Sequence, residues 1–153
     1  MSKVTYAAKV PLFILLANSV SLAFGQAPEA ELQAYAERAS REALAVLEDP
    51  ASSHAAVADH LFRVSGIVRS GYLASETITR IRDATRLRLR STQHYSVVTR
   101  AIDLAAALGD TSTLERIAND PREVEKLGFT EPGMIARIQQ KARDHLTGSS
   151  APL

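Results

Sequence analysis

Apolar residues recur along most of this chain at steps of three and four, the spacing that lines one face of an α-helix. Leu32, Ala36, Ala39, Ala43 and Val46 mark a first helix, and Asp49-Pro50 ends it. Ser52 or Ser53 is placed to cap a second, with Val57, Leu61, Val64 and Val68 on its inner face and Gly71 in its last turn. Ser75 opens a third, carrying Ile78, Ile81 and Thr85. The run Arg86-Leu87-Arg88-Leu89-Arg90 alternates as a strand would, but no second strand is available to pair with it, so it is assigned to the helix. Thr92 is expected to cap a fourth helix built on Val97 or Val98, Ala101, Ala105 and Leu108, with Gly109 just past its end. Leu104, Ala105 and Leu108 are expected to pack between hairpins. Ser112-x-x-Glu115 and Asp120-Pro121-Arg122-Glu123 resemble capping boxes of two short helical turns, the second closed by Gly128. Thr130-Glu131-Pro132 opens a last helix bearing Met134 or Ile135, Ile138, Ala142 and Leu146. The pattern predicts an all-α domain over 26–147, with five to seven helices in antiparallel hairpins, followed by a frayed tail at 148–153.

Residues 1–25 break this periodicity. Lys3 and Lys9 lead into the apolar run from Val10 to Ala17, extended by Val20, Leu22, Ala23 and Phe24. Ala23-Phe24-Gly25 then reads as a cleavage site before Gln26. These are the parts of a secretory signal peptide. The apolar stretch is shorter than the roughly 20 residues a membrane span requires. The expected product is a periplasmic or secreted protein without stable membrane insertion after cleavage.

Composition narrows the chemistry. There is no Cys and no Trp among 153 residues, and aromatic residues make up 5%. Disulfides, thiolate metal sites and a Cys nucleophile are excluded. The core has to be built from Ala, Leu, Val and Ile. The net charge of +1 conceals an asymmetry: residues 26–60 carry two basic against seven acidic residues, whereas 61–109 carry eight against three.

A shift of 40 residues aligns Leu47 with Leu87, His54 with His94 and Val57 with Val97. Periods near this length occur in helical-hairpin solenoids. With Leu47-Glu48-Asp49-Pro50 before a helix and the run from Arg100 to Asp110 ending one on Leu108-Gly109, residues 45–120 resemble a short stack of HEAT-type hairpins. That resemblance implies a scaffold or binding surface and carries no catalytic residue with it.

Among chemistry-bearing residues, His54, His60, His94 and His145 show no i, i+4 pair and no zinc-ligand spacing. A hairpin could bring His54 to His94, and Asp59 lies next to His60. No serine sits in a nucleophile elbow and no glycine-rich phosphate loop occurs. Glu29, Glu31 and Glu37 are expected on the solvated side of the first helix. The sharpest feature is basic: Arg80, Arg82, Arg86, Arg88 and Arg90 fall within eleven residues, opposed by Asp83 alone. On a helix, Arg82, Arg86 and Arg90 form an i, i+4 stripe suited to an acidic protein surface. If the stripe instead faced its own first helix, Glu37, Glu42 or Glu48 would be its partners. Nucleic acid fits less well, because the chain is expected to be exported and no aromatics interleave with the arginines.

The sequence thus reads as an exported, non-catalytic interaction or scaffold domain of the cell envelope, with no cofactor and no metal. The rivals are a small exported enzyme using a His/Asp pair, and a binder of polyanions or membrane surfaces through the arginine stripe.

Overall fold

The computed structural model describes residues 28–148, so the segment 1–25 expected to be a signal peptide and the tail beyond Gly148 lie outside the described residues. Seven helices are found there: α1 (Glu29–Glu48), α2 (His54–Ser70), α3 (Ser75–Ser91), α4 (Tyr95–Ala107), α5 (Thr111–Asn119), α6 (Pro121–Glu125) and α7 (Pro132–Leu146). No strand occurs among the described residues, and no described helix is long and apolar enough to cross a membrane. The alternating arginine–leucine run is helical, as assigned.

The helix ends show how the chain punctuates itself. Ser53 accepts a hydrogen bond from the Ala56 amide at the start of α2. Asp120 does the same for Arg122 ahead of Pro121 in α6. Gly109 takes φ +64°, and behind it the Asp110 amide donates to Ala105 O and the Gly109 amide to Ala106 O. That reversed pair of bonds satisfies two carbonyls at the end of α4 and turns the chain sharply into α5. Two of the expected caps are displaced. Thr92 stands at the end of α3, where its hydroxyl accepts from the His94 amide, and His94 precedes α4. The start of α5 is capped by Asp110 rather than Ser112, because the tight turn at Gly109 leaves no room for two further loop residues.

α1 and α2 form one hairpin and α3 and α4 a second, stacked like on like. Glu37 of α1 meets Ala74 and Thr77, and Leu47 meets Arg88, so α1 and α3 run parallel. His54 meets His94, and Arg100 lies over the Phe62 ring, so α2 and α4 also run parallel. Asp103 of α4 meets His145 of α7 in the next layer. Hydrogen bonds between these layers join residues 32 to 42 apart in sequence.

α4 is the centre. It packs against α2, α3, α5 and α7, and Val97, Val98, Ala101, Ile102, Leu104 and Ala105 are all buried. Around it lie Leu47, Val57, Leu61, Val64, Ile81, Leu114, Ile117, Ile138 and Ala142. Buried alanines on α1, α3, α4 and α7 let neighbouring backbones approach closely, which suits a chain with few aromatics.

Glu37 departs from its expected solvated role. Its carboxylate accepts from the Ala74 amide at 2.8 Å and from the Thr77 hydroxyl at 2.7 Å. Ala74 precedes α3 and has no side chain able to cap it, so Glu37 caps that helix from the neighbouring layer. The Ala74 amide first, and then the Thr77 hydroxyl, hold the Glu37 carboxyl below its ordinary range. Two substitutions measure these contributions by urea melting. Leu104→Ala, at a fully buried position, is expected to cost about 2–5 kcal/mol through lost burial and the residual cavity. Glu37→Ala is expected to cost about 1 kcal/mol, the usual loss for a helix cap, whereas a solvated glutamate would cost nothing measurable.

Candidate functional site

Helix α3 carries all five arginines of the sequence motif, and the structure gives four of them intramolecular partners. Arg80 pairs with Glu48 of α1 at 3.1 Å, both side chains remaining about half exposed. Arg82 Nη2 donates to the Leu108 carbonyl at 3.2 Å. Arg88 reaches α1, donating from Nε to Leu47 O and from Nη2 to Val46 O and Asp49 O. Arg86 makes a two-pronged pair with Asp110, Nε to Oδ2 at 2.8 Å and Nη2 to Oδ1 at 2.9 Å.

A single stripe of free cations is therefore not what α3 presents. Its arginines splay around the helix toward three different helix ends. An α-helix leaves its last carbonyls without internal partners and carries partial negative charge there. α1 and α4 have no basic residue in their own last turns, unlike the other five helices. They are the two helices whose terminal carbonyls Arg88 and Arg82 cover. Arg143 of α7 performs the same service for the Ala118 carbonyl in α5.

Asp110 is the most heavily used polar side chain. It accepts from Arg86, from the Ser112 and Thr113 hydroxyls, and from the Thr113 amide. Burial pushes its carboxyl up, but the hydrogen bonds from Arg86, Thr113 and Ser112 outweigh that and hold it far below the usual carboxylate range. The signal for it in the sequence was the Gly109-Asp110 step; its arginine partner, 24 residues away, left no local trace.

Arg90 is exposed and has no hydrogen-bonding or ion-pair partner among the described residues. It lines a small hollow of about 50 Å³ between α3, α5 and α6. Arg116, which lies 3.7 Å from Glu123, joins it there, and Leu89, Ile117 and Leu127 contribute apolar lining. Arg86 and Thr113 lie on its inner side, and Glu123, the ion-pair partner of Arg116, also lines it. A larger open hollow of about 450 Å³ runs between α1 and α2 and includes Tyr35, Arg38, Glu42, His60 and Arg63. Its positive charge is offset, because Glu42 stands among the arginines and Arg63 pairs with Asp59 at 2.9 Å.

The histidines divide into separate environments. His60 lines the α1–α2 hollow, and the ion pair of neighbouring Asp59 is with Arg63, not with a histidine. His54 and His94 come together, their ring centres 4.8 Å apart. His145 Nε2 lies 2.8 Å from Asp103 Oδ1, an oxygen that also takes Lys141 at 2.6 Å. This largely buried cluster ties α7 to α4 and lines neither hollow. Among the described residues no group of three or more metal-ligating side chains converges.

Two measurements follow from these roles. Arg88→Ala is expected to cost about 1.5–3 kcal/mol, since it removes charged hydrogen bonds to otherwise orphaned carbonyls. Arg90→Ala should stay within about 0.5 kcal/mol of the parent protein in the same urea melts. Asp110→Asn is expected to cost about 2 kcal/mol. That lies above the 0–1 kcal/mol of an exposed pair and below the 3–5 kcal/mol of a wholly buried one, because Asp110 is 4% exposed but Arg86 is 37% exposed. The Asp110 carboxyl is lowered in the folded protein, so its contribution is complete above its unfolded value and disappears as pH falls through the folded one. The stability gap between parent and Asp110→Asn should thus be constant near neutrality and shrink below about pH 4. No protein-family model, curated protein or solved structure matches this chain.

Proposed function

We propose that this protein is an exported, non-catalytic interaction domain of the cell envelope, built as a short stack of HEAT-type hairpins, and that it receives an acidic protein surface at the Arg90–Arg116 hollow. The observation that carries the reading is the contrast within α3. Four of its arginines are spent on intramolecular partners, while Arg90 keeps its guanidinium free beside an apolar lining and next to Arg116, whose own ion pair is with Glu123. A partnerless guanidinium beside apolar contacts, with Arg116 adding to the local positive charge against Glu123, suits a carboxylate-bearing segment, because Arg recognises carboxylates through two parallel hydrogen bonds. The like-on-like stacking of hairpins at offsets near 40 residues supports the scaffold reading. The segment 1–25 supports export. The His/Asp alternative finds a pair in Asp103 and His145, but Lys141 shares the same carboxylate oxygen and the cluster serves the α4–α7 contact.

The test is a double substitution, Arg90→Glu with Arg116→Glu, compared with the parent protein in affinity capture from the native envelope. The melting curve should hardly move, since both positions are exposed. Association with the captured partner should slow, and in the parent it should weaken as salt rises, because interface charges act mainly on association rate and are screened over about 8 Å at physiological ionic strength. A double variant that keeps the same partners at every salt concentration would remove the hollow from consideration.

A further inference from the structure

His54 opens α2 and His94 immediately precedes α4, so the parallel stacking of these two helices sets their imidazoles side by side at one edge of the molecule. Both residues are exposed, the ring centres are 4.8 Å apart, and the ring planes differ by 30°. Core packing does not account for this pair, because neither ring is buried.

The spacing has a specific chemical meaning. A metal bound by an imidazole nitrogen at about 2.0–2.1 Å lies about 3.2 Å from the ring centre, so two imidazoles at 90–109° on one ion have centres about 4.5–5.2 Å apart. The observed separation falls inside that window. The surroundings of His94 agree: its Nδ1 lies 2.8 Å from Ser96 Oγ. With the serine hydroxyl accepting from Nδ1–H, the lone pair resides on Nε2, and the ring is oriented in the way that ligating histidines are commonly held by an outer hydrogen bond.

We propose that His54 and His94 form a two-imidazole binding site for a first-row divalent cation. The order of affinity follows the Irving–Williams series for nitrogen donors, Cu²⁺ above Ni²⁺ and Zn²⁺. No further His, Asp or Glu completes a cluster with them among the described residues, so the ion retains positions for water or for a donor from another molecule. The positive ends of α2 and α4 oppose a cation there, each by a factor of roughly two to five, which is small beside the gain from two coordinate bonds. This inference is independent of the Arg90–Arg116 hollow, which lies between α3, α5 and α6.

The test titrates the full chain, without a histidine tag, with CuCl₂ and separately with NiCl₂ by calorimetry, and records the Cu²⁺ electron paramagnetic resonance spectrum. The expected result is one ion per chain, with a spectrum showing two nitrogen ligands. His54→Gln and His94→Gln should each weaken binding by more than about tenfold, the lower end of what losing only an outer-sphere partner costs, and Ser96→Ala should weaken it by about tenfold with unchanged stoichiometry. His60→Gln should bind as the parent does. Metal-free melting curves of the variants should match that of the parent, so that lost binding is not lost folding. Absence of stoichiometric binding, binding unaffected by both substitutions, or binding weakened by only one of them would overturn the site.

Discussion

Every helix in this fold ends on carbonyls that its own hydrogen bonding leaves without partners. The hairpin stack brings several of those ends against neighbouring helices rather than into open water. Arg88 at the end of α1, Arg82 at the end of α4 and Arg143 at the end of α5 resolve that conflict, each reaching across from another helix. Arginine suits this task because its planar fork meets more than one carbonyl at once while its stem lies along apolar surface. The packing of α1, α3 and α4 therefore combines polar chemistry at the helix ends with the burial of the aliphatic side chains between them.

Charge in this chain is correspondingly a poor map of binding surface. The excess of basic residues over 61–109 looks like a cationic face. In the fold it is divided among helix ends, a buried carboxylate and the acidic end of α1. Asp110 sits where three of these demands meet: it caps α5, anchors Arg86 and follows the turn at Gly109. Through that junction Asp110 links α3 to the turn between α4 and α5, beside the buried aliphatic side chains of the three helices.

The helices themselves were legible because their signals are local. Ser53, Asp120-Pro121 and Pro132 mark starts, Gly71, Gly109 and Gly128 mark stops, and the apolar spacing between them marks the inner faces. The pairing of His54 with His94 was readable as a possibility from their equal offset. What stayed hidden lies between layers. Glu37 looks solvated when only its own helix is considered, and becomes a cap only once Ala74 is beside it. Thr92 and Ser112 are plausible caps by residue type, but tight turns moved the helix starts past one and ahead of the other. The arginine stripe was correct in helical spacing and silent about direction, since a flexible side chain of that length reaches whichever acceptor the fold supplies.

Arg88 meets its neighbour through Val46, Leu47 and Asp49 carbonyl oxygens, atoms that every amino acid at those positions would supply. The contact consequently constrains one side of the interface and leaves the other free. Residues 46 and 49 can drift in evolution without a compensating change at 88, so long as the backbone keeps its course. A tertiary contact of this kind leaves no correlated substitutions between its two halves. Statistical coupling between sequences would overlook it, even in a deep family, although it helps fix how the first helix sits on the third.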